Sequence, residues 1–267
     1  MQIAEVFSRN WKRLVSALRV FKYPALWDDE LLDHPMSQAS YREDSLFVFN
    51  RNVEFLSDPK FVEAYTKGKN TDSWGGADIR WRTHVACWAA DSVRELKGDF
   101  VECGVNRGGL SRAVMSYVNF NQLSDKRFFL LDTFNGLAPE LLTEEETERL
   151  GDKYLGTSYY TECFDEVQRT FASFANVVLI RGTIPDSLTE VATENVCYLS
   201  IDLNCAEPEV AALTFFWDKL VSGAVVLLDD YAWASHEVQK RALDDFARSR
   251  SVPILTLPTG QGMIIKR

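Results

Sequence analysis

The chain has 267 residues, 46% apolar and 25% charged, enough for one large globular domain or a domain with an appendage. Its net charge of −10 excludes a nucleic-acid surface as the main partner. Five cysteines, odd in number and without a C-x-x-C pair, read as reduced core thiols of a cytoplasmic protein, not as bridges or metal ligands.

The charge is uneven, with +4 in residues 1–23 and −14 in the remainder. There Ile3, Val6, Phe7, Trp11, Leu14, Val15, Leu18 and Phe21 recur at helical spacing among five basic residues. The spacing predicts a basic amphipathic helix ended by Pro24. Such a helix packs on its own domain or on a second copy in a homo-oligomer, the preferred reading, or lies on an anionic membrane surface. No signal-peptide core and no run long enough to span a bilayer is visible. Residues 24–76 hold Pro24, Pro35, Pro59 and the Gly75–Gly76 break, with a short helix expected near residues 42–56. We therefore expect an N-terminal helical extension or lid over 1–76 and the main domain over 77–267.

Residues 77–97 present Val85, Trp88, Ala89, Ser92, Val93 and Leu96 on one helical face, and Gly98 stands at the expected stop. The lone His84 on this helix reads as a surface or satisfied residue. A short apolar run, 99–103, then breaks into Gly104, Gly108 and Gly109 before a helix through Leu110, Ala113, Val114, Tyr117 and Val118. Strand, glycine turn and helix start allow close backbone approach to a nucleotide-type ligand, with unpaired N–H groups at the helix end. The alternative is a turn that only packs the helix on the strand.

Alternating units follow: strands at 127–133, 177–181, 196–203 and 224–229, and helices at 160–174, 207–221 and 235–249. Continuous apolar runs such as Phe128–Leu131 and Ala224–Leu228 fit a parallel sheet covered on both faces. Residues 253–257 and 263–266, around Thr259–Gly262, read as a closing antiparallel hairpin. Between 135 and 159 lies a glutamate-rich insertion, expected to contain a solvated helix over 143–151 and long enough to cover a site.

Ligands of open α/β sheets bind outside the carboxyl ends of the strands, and there this chain collects acids: Glu102, Asp132, Asp202, Asp229 and Asp230. A carboxylate at Asp132 would accept both hydroxyls of a ribose or cap the following turn. Asp202, Asp229 and Asp230 would crowd one rim, which is costly unless a cation neutralises them or one keeps its proton. Mg²⁺ suits such oxygen ligands and would acidify a bound substrate hydroxyl. Otherwise Asp229 or Asp230 caps the next helix.

At these residues the chain resembles the macrocin O-methyltransferase family, metal-dependent class I S-adenosylmethionine enzymes that methylate sugar hydroxyls. The similarity lies in Gly98–Gly109 (GDFVECGVNRGG), Leu131–Leu137 (LDTFNGL), Arg181–Leu188 (RGTIPDSL), Ser200–Leu203 (SIDL) and Gly223–Tyr231 (GAVVLLDDY), in that order. It runs from about residue 75 to the C-terminus and implies a Rossmann-like α/β class I methyltransferase fold, a mostly parallel seven-stranded sheet with a C-terminal antiparallel hairpin; the N-terminal helical extension lies outside it. It also implies a methionine site formed by Glu102, Cys103, Gly104, Asn106, Arg107, Gly108, Gly109 and Ser111, beside Asp202. Asp132 and Thr133 would hold the ribose, Gly182 and Thr183 would lie near the adenine, and Asp202, Asp229 and Asp230 would bind magnesium. The reaction would be in-line methyl transfer to a sugar-containing small molecule.

One position departs from the family: Asn204 stands where many members carry an Asp proposed as general base, and an amide accepts no proton at neutral pH. Asp202, water or His236 would then take the proton, and Asn204 would bind a substrate hydroxyl. The alternatives are a phenolic acceptor, or a cofactor-binding subunit without catalysis. A nicotinamide dehydrogenase is disfavoured, because the glycine spacing is not G-x-G-x-x-G.

Overall fold

A computed structural model describes residues 39–155 and 160–267. The basic segment 1–23, and with it the amphipathic-helix reading, lies outside them. The first described element is a hairpin of β1 (Ala39–Glu43) and β2 (Leu46–Phe49), where the sequence predicts a short helix. Asp44 and Ser45, at φ 53° and 60°, make the two-residue left-handed turn that joins such strands. An Asp-Ser pair signals that turn weakly, which is why the pattern reads as helical.

Residues 43–46 and 53–267 form one compact unit. It opens with a 3₁₀ turn at Glu54–Ser57 and α1 (Pro59–Lys69), whose Asp58 cap accepts the Lys60 N–H at 2.9 Å. Then follow α2 (Arg80–Val93), β3 (Asp99–Cys103), α3 (Gly109–Tyr117), β4 (Phe128–Asp132), α4 (Glu144–Leu155), α5 (Phe164–Phe171), β5 (Val177–Arg181) and β6 (Val196–Ile201). The unit closes with α6 (Ala206–Trp217), β7 (Leu220–Leu228), α7 (Glu237–Ser249), β8 (Leu255–Thr256) and β9 (Gly262–Ile265). The long helices are shorter than their apolar spacing suggests, and β7 starts at Leu220 instead of Ala224.

The sheet runs β5-β4-β3-β6-β7-β9-β8, parallel except for the antiparallel β9 and β8. Alternate residues of each strand feed two cores. Phe100, Phe128, Leu130, Tyr198 and Val225 pack under α2, α3 and α5, while Val101, Phe129, Leu131, Leu199 and Val226 pack under α6 and α7. Each fully buried Leu or Phe contributes about 1.5–3 kcal/mol relative to exposure, so register is strongly fixed. All five cysteines are buried and unpaired. No described helix is long and apolar enough to cross a membrane.

The chain proceeds outward from β3 through β4 to β5, then returns to lay β6 on the other side of β3. That reversal opens a crevice beyond the carboxyl ends of β3 and β6. The two strand ends meet tightly: the Asp202 N–H donates to the Cys103 carbonyl at 2.8 Å. A Cβ on Gly104, at φ 88°, would sit 1.7 Å from the Asp202 carbonyl oxygen, so only glycine fits.

Candidate active site

A cavity of about 530 Å³ opens in this crevice. Of the expected cofactor residues, Glu102, Gly104, Asn106, Gly109, Asp132, Thr133, Gly182, Thr183 and Asp202 line it. Cys103, Arg107, Gly108 and Ser111 do not, and each is engaged elsewhere. The Cys103 side chain points into the core under α6 and α7. Arg107 pairs with Glu166 and donates to the Thr161 hydroxyl. A Cβ on Gly108, at φ 86°, would strike the Phe171 ring at 2.5 Å. Ser111 is buried and donates to the Glu102 carboxyl.

The glycine turn is fastened from within. Asp132 Oδ2 accepts the N–H groups of Val105 and Asn106 at 2.6 and 2.8 Å, and Oδ1 accepts that of Phe134 at 2.6 Å. The Thr133 hydroxyl hydrogen is better used on the Gly136 carbonyl, so one lone pair of Oδ1 faces other donors. A carboxylate so placed has room for one ribose hydroxyl, not two. Nor is the start of α3 fully open: Ser73 Oγ accepts the Gly109 N–H at 2.8 Å, and the Asn106 amide donates to the Ser73 carbonyl. Both are packing roles that the glycine pattern alone left as an alternative.

Burial pushes Glu102 up to about 8 despite the Ser111 hydrogen bond. Burial first, then the carboxylates of Asp229 and Asp230, raises Asp202 well above the usual range; burial and Asp229 do the same to Asp230. A carboxyl-rich wall of this kind suits a ligand carrying positive charge.

Asp202, Asn204, Asp229, Asp230 and His236 all line the cavity. Asn204, in a left-handed conformation at φ 59°, donates from its amide to Asp202 Oδ1 at 3.1 Å. His236 is not arranged as a base. Arg149 donates to its Nε2 at 2.7 Å, and burial with the Arg149 charge pushes the imidazole down to about 4. It does stand near Asp230, with Nε2 at 3.4 Å from Oδ2.

The residues expected to bind magnesium are not arranged as a metal site. Among the described residues no three His, Cys, Asp or Glu side chains are arranged to hold a metal ion. Both oxygens of Asp229 are engaged: Arg82 donates to Oδ2 at 2.7 Å and Gln261 to Oδ1 at 3.0 Å. The donor set as it stands does not fit a divalent cation.

Several lining residues carried no sequence signal. Arg82 comes from α2, Ser73 and Trp74 from the loop before it, Trp233 from the loop after β7, and Arg149 and Leu150 from the glutamate-rich insertion. That insertion walls the cavity, and its helix is not simply solvated. The fully buried Glu146 accepts the Thr143 N–H at 2.9 Å in a capping box and the Ala206 N–H at 2.7 Å at the start of α6. A Thr three residues before Glu146 was the legible half of that arrangement.

The protein has the α/β fold seen in methyltransferases of known structure. It superposes on the O-methyltransferase NovP with a TM-score of 0.62 at 20% identity, over 69% of this chain and 79% of that one. With the calicheamicin methyltransferase CalS11 the TM-score is 0.56 at 13% identity, over 87% and 96%. The family model of macrocin O-methyltransferase (TylF) matches residues 78–256, and the chain belongs to that family. Demethyldecarbamoylnovobiocin O-methyltransferase of Streptomyces niveus is 26% identical over 144 residues, 51% of this chain and 53% of the relative. The chain thus spans about half the length of that curated relative.

Proposed function

We propose that this protein is an S-adenosylmethionine-dependent O-methyltransferase whose acceptor presents a sugar hydroxyl. The observation that carries the reading is the meeting of Asp202 with the clamped glycine turn in one cavity of a macrocin O-methyltransferase family member. Membership of the macrocin O-methyltransferase family and similarity to demethyldecarbamoylnovobiocin O-methyltransferase support a sugar-containing small molecule as acceptor. S-adenosylmethionine would supply an electrophilic methyl on its sulfonium.

The chain's own residues do the remainder. Glu102, buried and short of a counter-charge, would ionise against the ammonium of the methionine part. Asp132 keeps the turn in shape and offers one oxygen lone pair to the ribose. Asp202 takes the hydroxyl proton, because Asn204 accepts none and Arg149 already occupies the His236 acceptor nitrogen. Burial, with Asp229 and Asp230 beside it, raises its proton affinity above that of an ordinary aspartate, so a proton once taken is held. S-adenosylmethionine, when bound, would give its methyl to the acceptor oxygen and leave as S-adenosylhomocysteine, and Asp202 would hold the proton released from the hydroxyl. No step is assigned to magnesium.

The test is a turnover assay of the full chain with S-adenosylmethionine against a panel of glycosides and nucleotide sugars, with catechols beside it. A methylated glycoside detected by mass is expected, and Asp202→Asn lowers its rate at least about 100-fold. Turnover of catechols alone favours the phenolic reading. Cofactor binding by calorimetry without turnover of any acceptor favours a non-catalytic subunit.

A further inference from the structure

The carboxylate cluster already contains a cation, and it belongs to the protein. Arg82 on α2 forks onto Asp44, from Nε to Oδ2 at 2.6 Å and from NH2 to Oδ1 at 3.1 Å, and reaches Asp229 Oδ2 with NH1 at 2.7 Å. Its guanidinium also lies 5.6 Å from the centre of the Trp233 ring. Asp229 has no spare oxygen on its other side, where Gln261 donates and is itself held by the Thr259 hydroxyl at 2.9 Å. The Arg82, Asp44 and Asp229 side chains are 17, 12 and 8% exposed, so little water screens them.

We infer that Arg82 is the resident counter-ion of the Asp202–Asp229–Asp230 cluster, occupying the place a divalent cation would take at Asp229, so that metal and Arg82 exclude one another there. The reason is elementary. A divalent ion on Asp229 would compete directly with NH1 and with the Gln261 amide, each of which already holds one of its two oxygens. It would also bring two positive charges against a buried guanidinium, which is strongly unfavourable in a poorly screened site. Releasing Arg82 leaves its charge with Asp44 alone. The inference stands on this geometry and not on the methyl-transfer reading.

The experiment is a titration of the full chain with Mn²⁺, following bound ion by electron paramagnetic resonance, and needs no turnover. The wild-type chain is expected to show no stoichiometric binding at concentrations where Arg82→Gln saturates with one ion per chain, a gain of at least about tenfold in affinity. Arg82→Lys, which keeps the charge, is expected to behave as wild type. Circular dichroism and thermal denaturation, measured in parallel, report that each variant is folded. Tight binding of one Mn²⁺ per wild-type chain overturns the inference by itself, whatever happens to the variants. A folded Arg82→Gln chain that gains no affinity overturns it too.

Discussion

Glu102 sits at the end of β3 with its carboxyl wholly enclosed, and its acidity follows from that position. In the folded chain it keeps its proton up to about pH 8, whereas the ordinary value is 4.5. The folded state therefore holds more protons than the unfolded one across that interval, and its stability falls as pH rises through it. Glu209, buried and raised to about 8, acts in the same direction, as do Asp202 and Asp230. His236, lowered from 6.5 to about 4, acts oppositely but only below about 6.5, where it would have to charge in a buried site. The window from pH 6.5 to 8 thus belongs to the carboxyls. Thermal denaturation of the ligand-free chain is expected to show a falling midpoint across it. Glu102→Gln should flatten that slope by up to about 1.4 kcal/mol per pH unit. An unchanged slope would mean that Glu102 is already ionised at neutral pH.

At the scale of elements, the start of α3 depends on a residue that no local pattern connects to it. Ser73 precedes α2, yet its hydroxyl accepts the Gly109 N–H as a capping side chain would. Ser73→Ala should cost about 1 kcal/mol, a drop of about 2–4 °C in the melting midpoint for a chain of this size. A midpoint that does not move would show water replacing the hydroxyl. The same separation explains what the sequence could and could not disclose. The strands were readable because each is a continuous apolar run, and the acids at their ends were readable because the sheet's direction dictates where a ligand goes. Glu102, Asp132, Asp202, Asp229 and Asp230 were placed at the crevice in that way, whereas Asn204 stood out only through the family resemblance. Arg82 was not, since its partner Asp229 lies in another strand's wake and nothing in the helical pattern of α2 marks one arginine among several. Arg149 and Glu146 were hidden in an insertion whose glutamates read as solvated, although one of them is fully buried. The β1–β2 hairpin was missed because Asp44-Ser45 is an uncommon carrier of a left-handed turn.

For the whole molecule, the sheet order sets what binding can accomplish. The cavity gathers residues from α2, β3, β4, the loops after β6 and β7 and the insertion, so an occupant ties together segments far apart in sequence. A ligand that binds only this folded arrangement stabilises it by mass action, by about 2.7 kcal/mol at 100 times its dissociation constant. S-adenosylhomocysteine at that excess is expected to raise the melting midpoint by about 5–10 °C. No shift at saturating concentration would speak against the cavity as its site.

The internal fastening of the turn by Asp132 has one more consequence. Three amide hydrogens converge on a single side chain before any guest arrives, so the floor of the crevice is rigid in advance. A guest then diverts little of its interaction free energy into immobilising backbone. What remains acts on the contacts that tell one guest from another, and selectivity is decided at the rim, where the insertion and the loop after β7 stand.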